Sequence, residues 1–148
     1  VGILATNGGR IHDYEGIEKF SQRPLPRIAI PTTAGTGSEV TKNAVIMSKE
    51  DKFKVSIRDD RMMARVAVVD PELTVSVPPD VTAASGMDAI CQLIESFTTA
   101  LANPMCDALA LYHTPRAMDA LRRAYDDGGD RQARETMSLA AMKKLGLK

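Results

Sequence analysis

Residues 31–41 read Pro-Thr-Thr-Ala-Gly-Thr-Gly-Ser-Glu-Val-Thr, a run of small, hydroxyl-bearing and glycine residues directly after a short apolar stretch. Such a run lets backbone approach a ligand closely, and it offers hydroxyl and N–H donors to phosphate or ribose oxygens. A Gly/Thr-rich loop that holds nothing is the plain alternative. A second run, residues 83–95, places Asp88 and Gln92 four apart on one helix face together with Glu95. An acid and a second oxygen donor at that spacing can hold a cation. Metal sites favour His, Asp, Glu or Cys, however, and a neutral amide is a weak ligand. A solvated polar face or a packing hydrogen bond is the competing reading of the same residues.

The elements that must position these residues change character near Pro78-Pro79. Before that point the texture is strand-like. Residues 27–30 form an apolar run stopped by Pro31 and read as a buried strand. Residues 44–48 and 53–57 flank a charged turn and read as a hairpin, the second arm alternating apolar with polar. Residues 65–69 read as another buried strand, stopped by Asp70-Pro71. After Pro79 the texture is helical. Asp80 or Thr82 is the expected cap of a helix over 83–99, with Ile90, Leu93, Ile94 and Phe97 as its apolar stripe. Asn103-Pro104 opens a second helix, with apolar positions at Leu109, Leu111, Met118, Leu121 and Tyr125. Pro115 is expected to kink or split it. The break at residues 126–129 precedes a third helix over 131–145, holding Met137, Leu139, Ala141 and Met142.

Composition narrows the function classes. The 148 residues carry 19 Lys+Arg against 19 Asp+Glu, a formal net charge of zero, which argues against a general nucleic-acid binder. No apolar run approaches the roughly 20 residues of a membrane span. Two cysteines, Cys91 and Cys106, do not make a secreted disulfide framework, so a reducing cytoplasm is expected, and Cys91 reads as a small buried hydrophobe. His12 and His113 are isolated and read as surface or packing residues. Each half, 1–77 and 78–148, is small for an independent core, so partner surface, from a second copy or from further sequence, is expected.

The ordered set of residues 31–41, Val69-Asp70-Pro71-Glu72-Leu73-Thr74, Pro78-Pro79, Gly86-Met87-Asp88-Ala89, Asn103-Pro104 and Asp107-Ala108-Leu109 resembles the iron-containing (group III) alcohol dehydrogenase family, from about Asn7 to Met142. The resemblance implies an α/β or α+β fragment. Residues 1–77 would be a strand-rich remnant of a Rossmann-like nucleotide domain, and 78–148 a helical, dehydroquinate synthase-like metal-binding segment. It implies NAD or NADP as cofactor, a divalent iron or zinc, and a small alcohol or aldehyde as substrate. Thr32 and Thr33 would lie along the dinucleotide, with Thr36 in the same loop. Lys54 would reach the cofactor, with a solvent-facing strand lysine as the alternative. Asp88 would ligate the metal, and Gln92 falls where many members place a ligand histidine. The family's pyrophosphate-gripping Gly-Gly-Gly-Ser loop would precede Val1, and two further ligand histidines would follow the last helix, so the chain reads as the middle of a dehydrogenase.

Two functions follow from this reading. One is a metal-assisted, NAD(P)-dependent alcohol dehydrogenase, with little or no activity expected of the isolated chain. The other is a noncatalytic remnant that folds as a homodimer, with a binding or structural role or none. Neither membrane nor nucleic acid is an expected partner.

Overall fold

The computed structural model describes residues 1–47, 52, 54–100 and 103–142. The chain divides into two packing units. The first comprises Val1–Ala29 and Ser38–Ala67, the second Ile30–Gly37 and the residues from Val68 onward. The loop 30–37 thus packs with the helices, although it follows a strand of the first unit.

In the first unit, helix α1 (Gly2–Asn7) and the short strand β1 (Gly16–Ile17) precede the hairpin expected from the sequence. The hairpin strands β3 (Asn43–Met47) and β4 (Lys54–Arg58) pair antiparallel, with Val45 opposite Ser56, and β1 adds to β4 in parallel. The alternation in β4 sets its faces: Val55 and Ile57 are buried while Lys54 and Ser56 are exposed. Residues 49–51 of the expected turn, and residues 48 and 53 at the ends of the expected arms, lie outside the described residues. Ile57 packs with Ile3, Tyr14, Phe20 and Met62. Arg61 staples this core from its edge. Its guanidinium bonds both oxygens of buried Asp59 and the carbonyl of Phe20, and lies 4.5 Å over the Phe20 ring.

The strands expected to be buried at 27–30 and 65–69 are shorter and exposed. They reduce to β2 (Ile28–Ala29) and β5 (Val66–Ala67), a parallel pair with Ile28 opposite Val66. Ile28 is 65% and Val66 49% exposed. Parallel strands are ordinarily covered on both faces. Among the described residues this pair has no third strand beside it, so the apolar run marks a surface rather than a core.

Among the described residues the second unit is a bundle of three α-helices. Helix α2 (Pro79–Thr98) begins earlier than expected, with Pro79 at its first position and no side-chain cap, so neither Asp80 nor Thr82 caps it. Helix α3 (Pro104–Asp126) is capped by Asn103, whose side-chain oxygen accepts from the N–H groups of Met105 and Cys106. Helix α4 (Arg131–Met142) starts where Asp130 accepts from the Ala133 N–H. Residues 143–148, which include the end of the helix expected over 131–145, lie outside the described residues.

Pro115 neither ends nor divides α3, which runs 23 residues through it. Nearby carbonyls find side-chain donors: the Thr114 hydroxyl donates to Ala110 O at 2.7 Å, and Arg116 donates to Tyr112 O at 2.6 Å. The expected apolar stripes also shift. On α2, Ile90 and Leu93 are buried but Ile94 and Phe97 are exposed. On α3, Leu111, Met118 and Tyr125 are exposed, and the packed face consists of Ala110, Ala117, Ala120, Leu121 and Ala124. On α4, Met137 and Ala141 are buried and Leu139 is exposed.

The physical reason is close approach. A Cβ on Gly86 would come within 2.3 Å of Leu121 Cδ1, so α2 and α3 meet where only small residues fit. Large apolar side chains are thereby displaced to the outer faces. Among the described residues no helix is long and apolar enough to cross a membrane.

Candidate cofactor and metal site

The loop after β2 is positioned by a glycine. Gly35 is buried, and a Cβ there would stand 2.9 Å from Ser85 Cβ and 3.0 Å from Ser85 O. The loop backbone therefore lies directly on α2, at a distance that a side chain would forbid. Ala34 packs against the helical core, and Gly37 turns the chain in the left-handed region at φ 59°. With Ala34, Gly35 and Gly37 turned inward, Thr32, Thr33 and Thr36 are left exposed. Each thus presents a hydroxyl that can donate and accept.

Ser85, Asp88 and Gln92 stand at i, i+3 and i+7 on α2, which places them along one helix face. The helix face on which the threonine loop rests is the face that carries Asp88 and Gln92. Both side chains are half-buried, and Gln92 Nε2 donates to Asp88 Oδ2 at 2.7 Å. The loop threonines and the Asp88–Gln92 pair belong to the same packing unit. Lys54 is an exposed residue of β4, opposite Met47, in the first unit.

Three features of this region carry no mark in the sequence. Below the loop lies a cavity of about 10 Å³ lined by Ala34, Thr74, Thr82, Ser85, Gly86 and Arg134, among others, which is too small for any organic ligand. Arg134 is 4% exposed. It donates to Thr82 Oγ1 at 2.8 Å, Gly128 O at 3.1 Å and Val77 O at 3.3 Å. Burial pushes its guanidinium pKa down. Arg134 thereby ties the entry of α2 to α4. Glu39, in the helical turn Ser38–Val40, is likewise buried.

One expectation about a single residue changes, and another finds its place. Cys91 is exposed rather than buried, because the packed faces of α2 are those of Ala89, Ile90 and Leu93. His113 is buried, its ring edge-on to Tyr112 with centroids 4.9 Å apart, while His12 is half-buried.

Comparison with known proteins names this arrangement. Residues 1–71 match the family model for iron-containing alcohol dehydrogenase, and residues 82–144 match that for the C-terminal part of the Fe-containing alcohol dehydrogenase family. The chain belongs to the iron-containing alcohol dehydrogenase family. It is 44% identical over 140 residues to alcohol dehydrogenase 4 of Schizosaccharomyces pombe, covering 95% of this chain and 33% of that one. It is 42% identical over 140 residues to the NAD-dependent methanol dehydrogenase of Bacillus methanolicus, covering 95% of this chain and 37% of that one. Among solved structures, sulfoacetaldehyde reductase from Bifidobacterium kashiwanohense in complex with NAD+ superposes with a TM-score of 0.90 at 40% identity. That match covers 99% of this chain and 39% of the other. The chain spans about a third of the length of the curated relatives it matches. The fold is the mixed α/β arrangement of these dehydrogenases, short strands followed by helices.

An iron-containing family implies a metal, and the donors here can be tested against it. Asp88 offers a carboxylate and Gln92 a neutral amide whose N–H is turned toward that carboxylate. No group of three or more His, Cys, Asp or Glu that could hold a metal ion occurs among the described residues. A transition-metal centre with imidazole and carboxylate ligands needs more, and harder-binding, donors than this pair. The described residues do not fit an iron or zinc centre.

Proposed function

We propose that this chain is part of an NAD(P)-dependent alcohol dehydrogenase. The reaction moves a hydride between the carbinol carbon of a small alcohol and C4 of the nicotinamide ring. In the oxidative direction the C–H electron pair leaves with the hydride, the hydroxyl proton is released, and the aldehyde forms. Thr32, Thr33 and Thr36 hydrogen-bond the dinucleotide, and Asp88 and Gln92 on the helix beneath line the polar side of the reaction space. Lys54 reaches the cofactor, as the family resemblance implies. NAD is favoured over NADP, because one relative is an NAD-dependent methanol dehydrogenase and one similar structure is an NAD+ complex. Residues 1–77 serve as the nucleotide-binding region and residues 78–148 as the metal-domain region, a division supported by family models that end at 71 and begin again at 82. Unpaired cysteines fit a cytoplasmic protein.

One observation carries this reading: Gly35 seats the threonine loop on α2 at Ser85, on the helix face that also bears Asp88. The test is a titration of the chain with NADH, followed by nicotinamide fluorescence, beside a Thr32→Val, Thr33→Val variant. Saturable, weak binding is expected, and each hydroxyl lost weakens it by about threefold to tenfold. Binding that is absent, or unaffected by both substitutions, contradicts the proposal. Alcohol-dependent NAD reduction by the isolated chain is expected to be slight.

A second reading rests on the exposed β2–β5 pair. Uncovered parallel strands with Ile28 and Val66 at the surface favour association with a second copy. In that reading the chain is a noncatalytic homodimer. Light scattering distinguishes the readings: a dimer that does not bind NADH supports the second.

A further inference from the structure

The metal implied by the family and the donors on this chain disagree, and the disagreement lies within one turn of α2. Asp88 and Gln92 are four residues apart, so the ends of their side chains meet, and they meet as acceptor and donor. Gln92 turns Nε2, not its carbonyl oxygen, toward Asp88 Oδ2. A cation placed between them would face an N–H. To ligate through oxygen the amide must turn over and give up its bond to the carboxylate, and it then offers only a neutral oxygen. Ferrous iron and zinc bind an imidazole nitrogen better than an amide oxygen.

We infer that the Asp88–Gln92 pair of this chain is a closed hydrogen bond that rejects iron and zinc, and that Gln92 is the residue that sets this rejection. Cys91 and Glu95, the nearest other side chains on the helix with ligating chemistry, are both exposed, and they complete no cluster with Asp88. An imidazole at position 92 would present a lone pair one helical turn from the carboxylate and would convert the pair into a bidentate metal seat. This inference concerns the chain's own donors and is independent of the hydride-transfer reading, since metal binding is measured directly.

The test is zinc titration by calorimetry on the purified chain carrying Cys91→Ser, so that the exposed thiol does not bind the probe. Three further chains in that background carry Gln92→His, Asp88→Asn, or both Gln92→His and Asp88→Asn. Circular dichroism checks that all four retain their helices. Expected results are no saturable zinc binding in the micromolar range for the Cys91→Ser chain, a gain of about tenfold or more from Gln92→His, and loss of that gain with Asp88→Asn. The visible bands of bound cobalt follow the same order. One equivalent of zinc bound tightly by the Cys91→Ser chain and lost with Asp88→Asn overturns the inference. So does a folded Gln92→His chain that binds zinc no better than its parent.

Discussion

Gly35 and Arg134 shape the candidate site through packing and buried hydrogen bonds. At Gly35 a methyl group would meet Ser85 backbone oxygen at 3.0 Å and its Cα at 3.3 Å, atoms that cannot swing aside. Gly35→Ala is therefore expected to lift the loop and cost about 1–3 kcal/mol, read as a lower melting temperature together with lost NADH binding. Arg134→Ala leaves Thr82 Oγ1, Val77 O and Gly128 O without their buried donor. It is expected to cost roughly 2–3 kcal/mol in denaturant unfolding. Both residues were only partly legible. The Pro-Thr-Thr-Ala-Gly-Thr-Gly run announces a loop fit to approach something, but no spacing rule says that Gly35 approaches Ser85. Arg134 resembled its neighbours Arg122, Arg123 and Arg131, because a charge run carries no sign of which member a neighbouring helix will cover. Gln92 was legible as a departure from an imidazole; that its amide nitrogen faces Asp88 was not.

The same division between pattern and packing appears in the helices. Asn103-Pro104 marked the start of α3, because an Asx cap and a first-turn proline are local chemistry. Asn103→Ala is expected to destabilise the helical unit by about 1 kcal/mol. Pro115 marked a break that did not occur. Proline removes one N–H and crowds the preceding turn, but α3 is held by its alanine face along its length, and this tertiary packing outweighs the local penalty. Pro115→Ala restores the missing donor to Leu111 O and is expected to stabilise the chain by roughly 1–3 kcal/mol. The apolar stripes misled for a related reason. Hydropathy ranks Leu111 and Met118 above Ala117 and Ala120, yet helices that approach as closely as α2 and α3 do at Gly86 select for size.

For the molecule as a whole, two carboxylates tie stability to acid pH. Asp59 is held below its ordinary value of 3.8 chiefly by the side-chain bond from Arg61, and Asp130 chiefly by the Ala133 N–H and then by Arg123. Lowered folded values mean that their stabilisation is complete above 3.8 and is lost as pH falls through the lower folded values. Thermal melts are expected to hold level down to about pH 4–5 and fall below it, and Asp59→Asn to flatten that fall. The hairpin, the three helices and the order of the motifs could be read from the chain. The exposure of β2 and β5 could not, because an apolar run states a need for cover and not whether cover is present. On the proposed function, the threonine loop and the Asp88 face of α2 address one dinucleotide. Amide chemical shifts of the isotope-labelled chain during a millimolar NADH titration test it most directly. Thr32, Thr33, Thr36 and residues 85–92 are expected to move together with one saturation curve. Shifts confined to other residues, or loop and helix responding with different affinities, would contradict it.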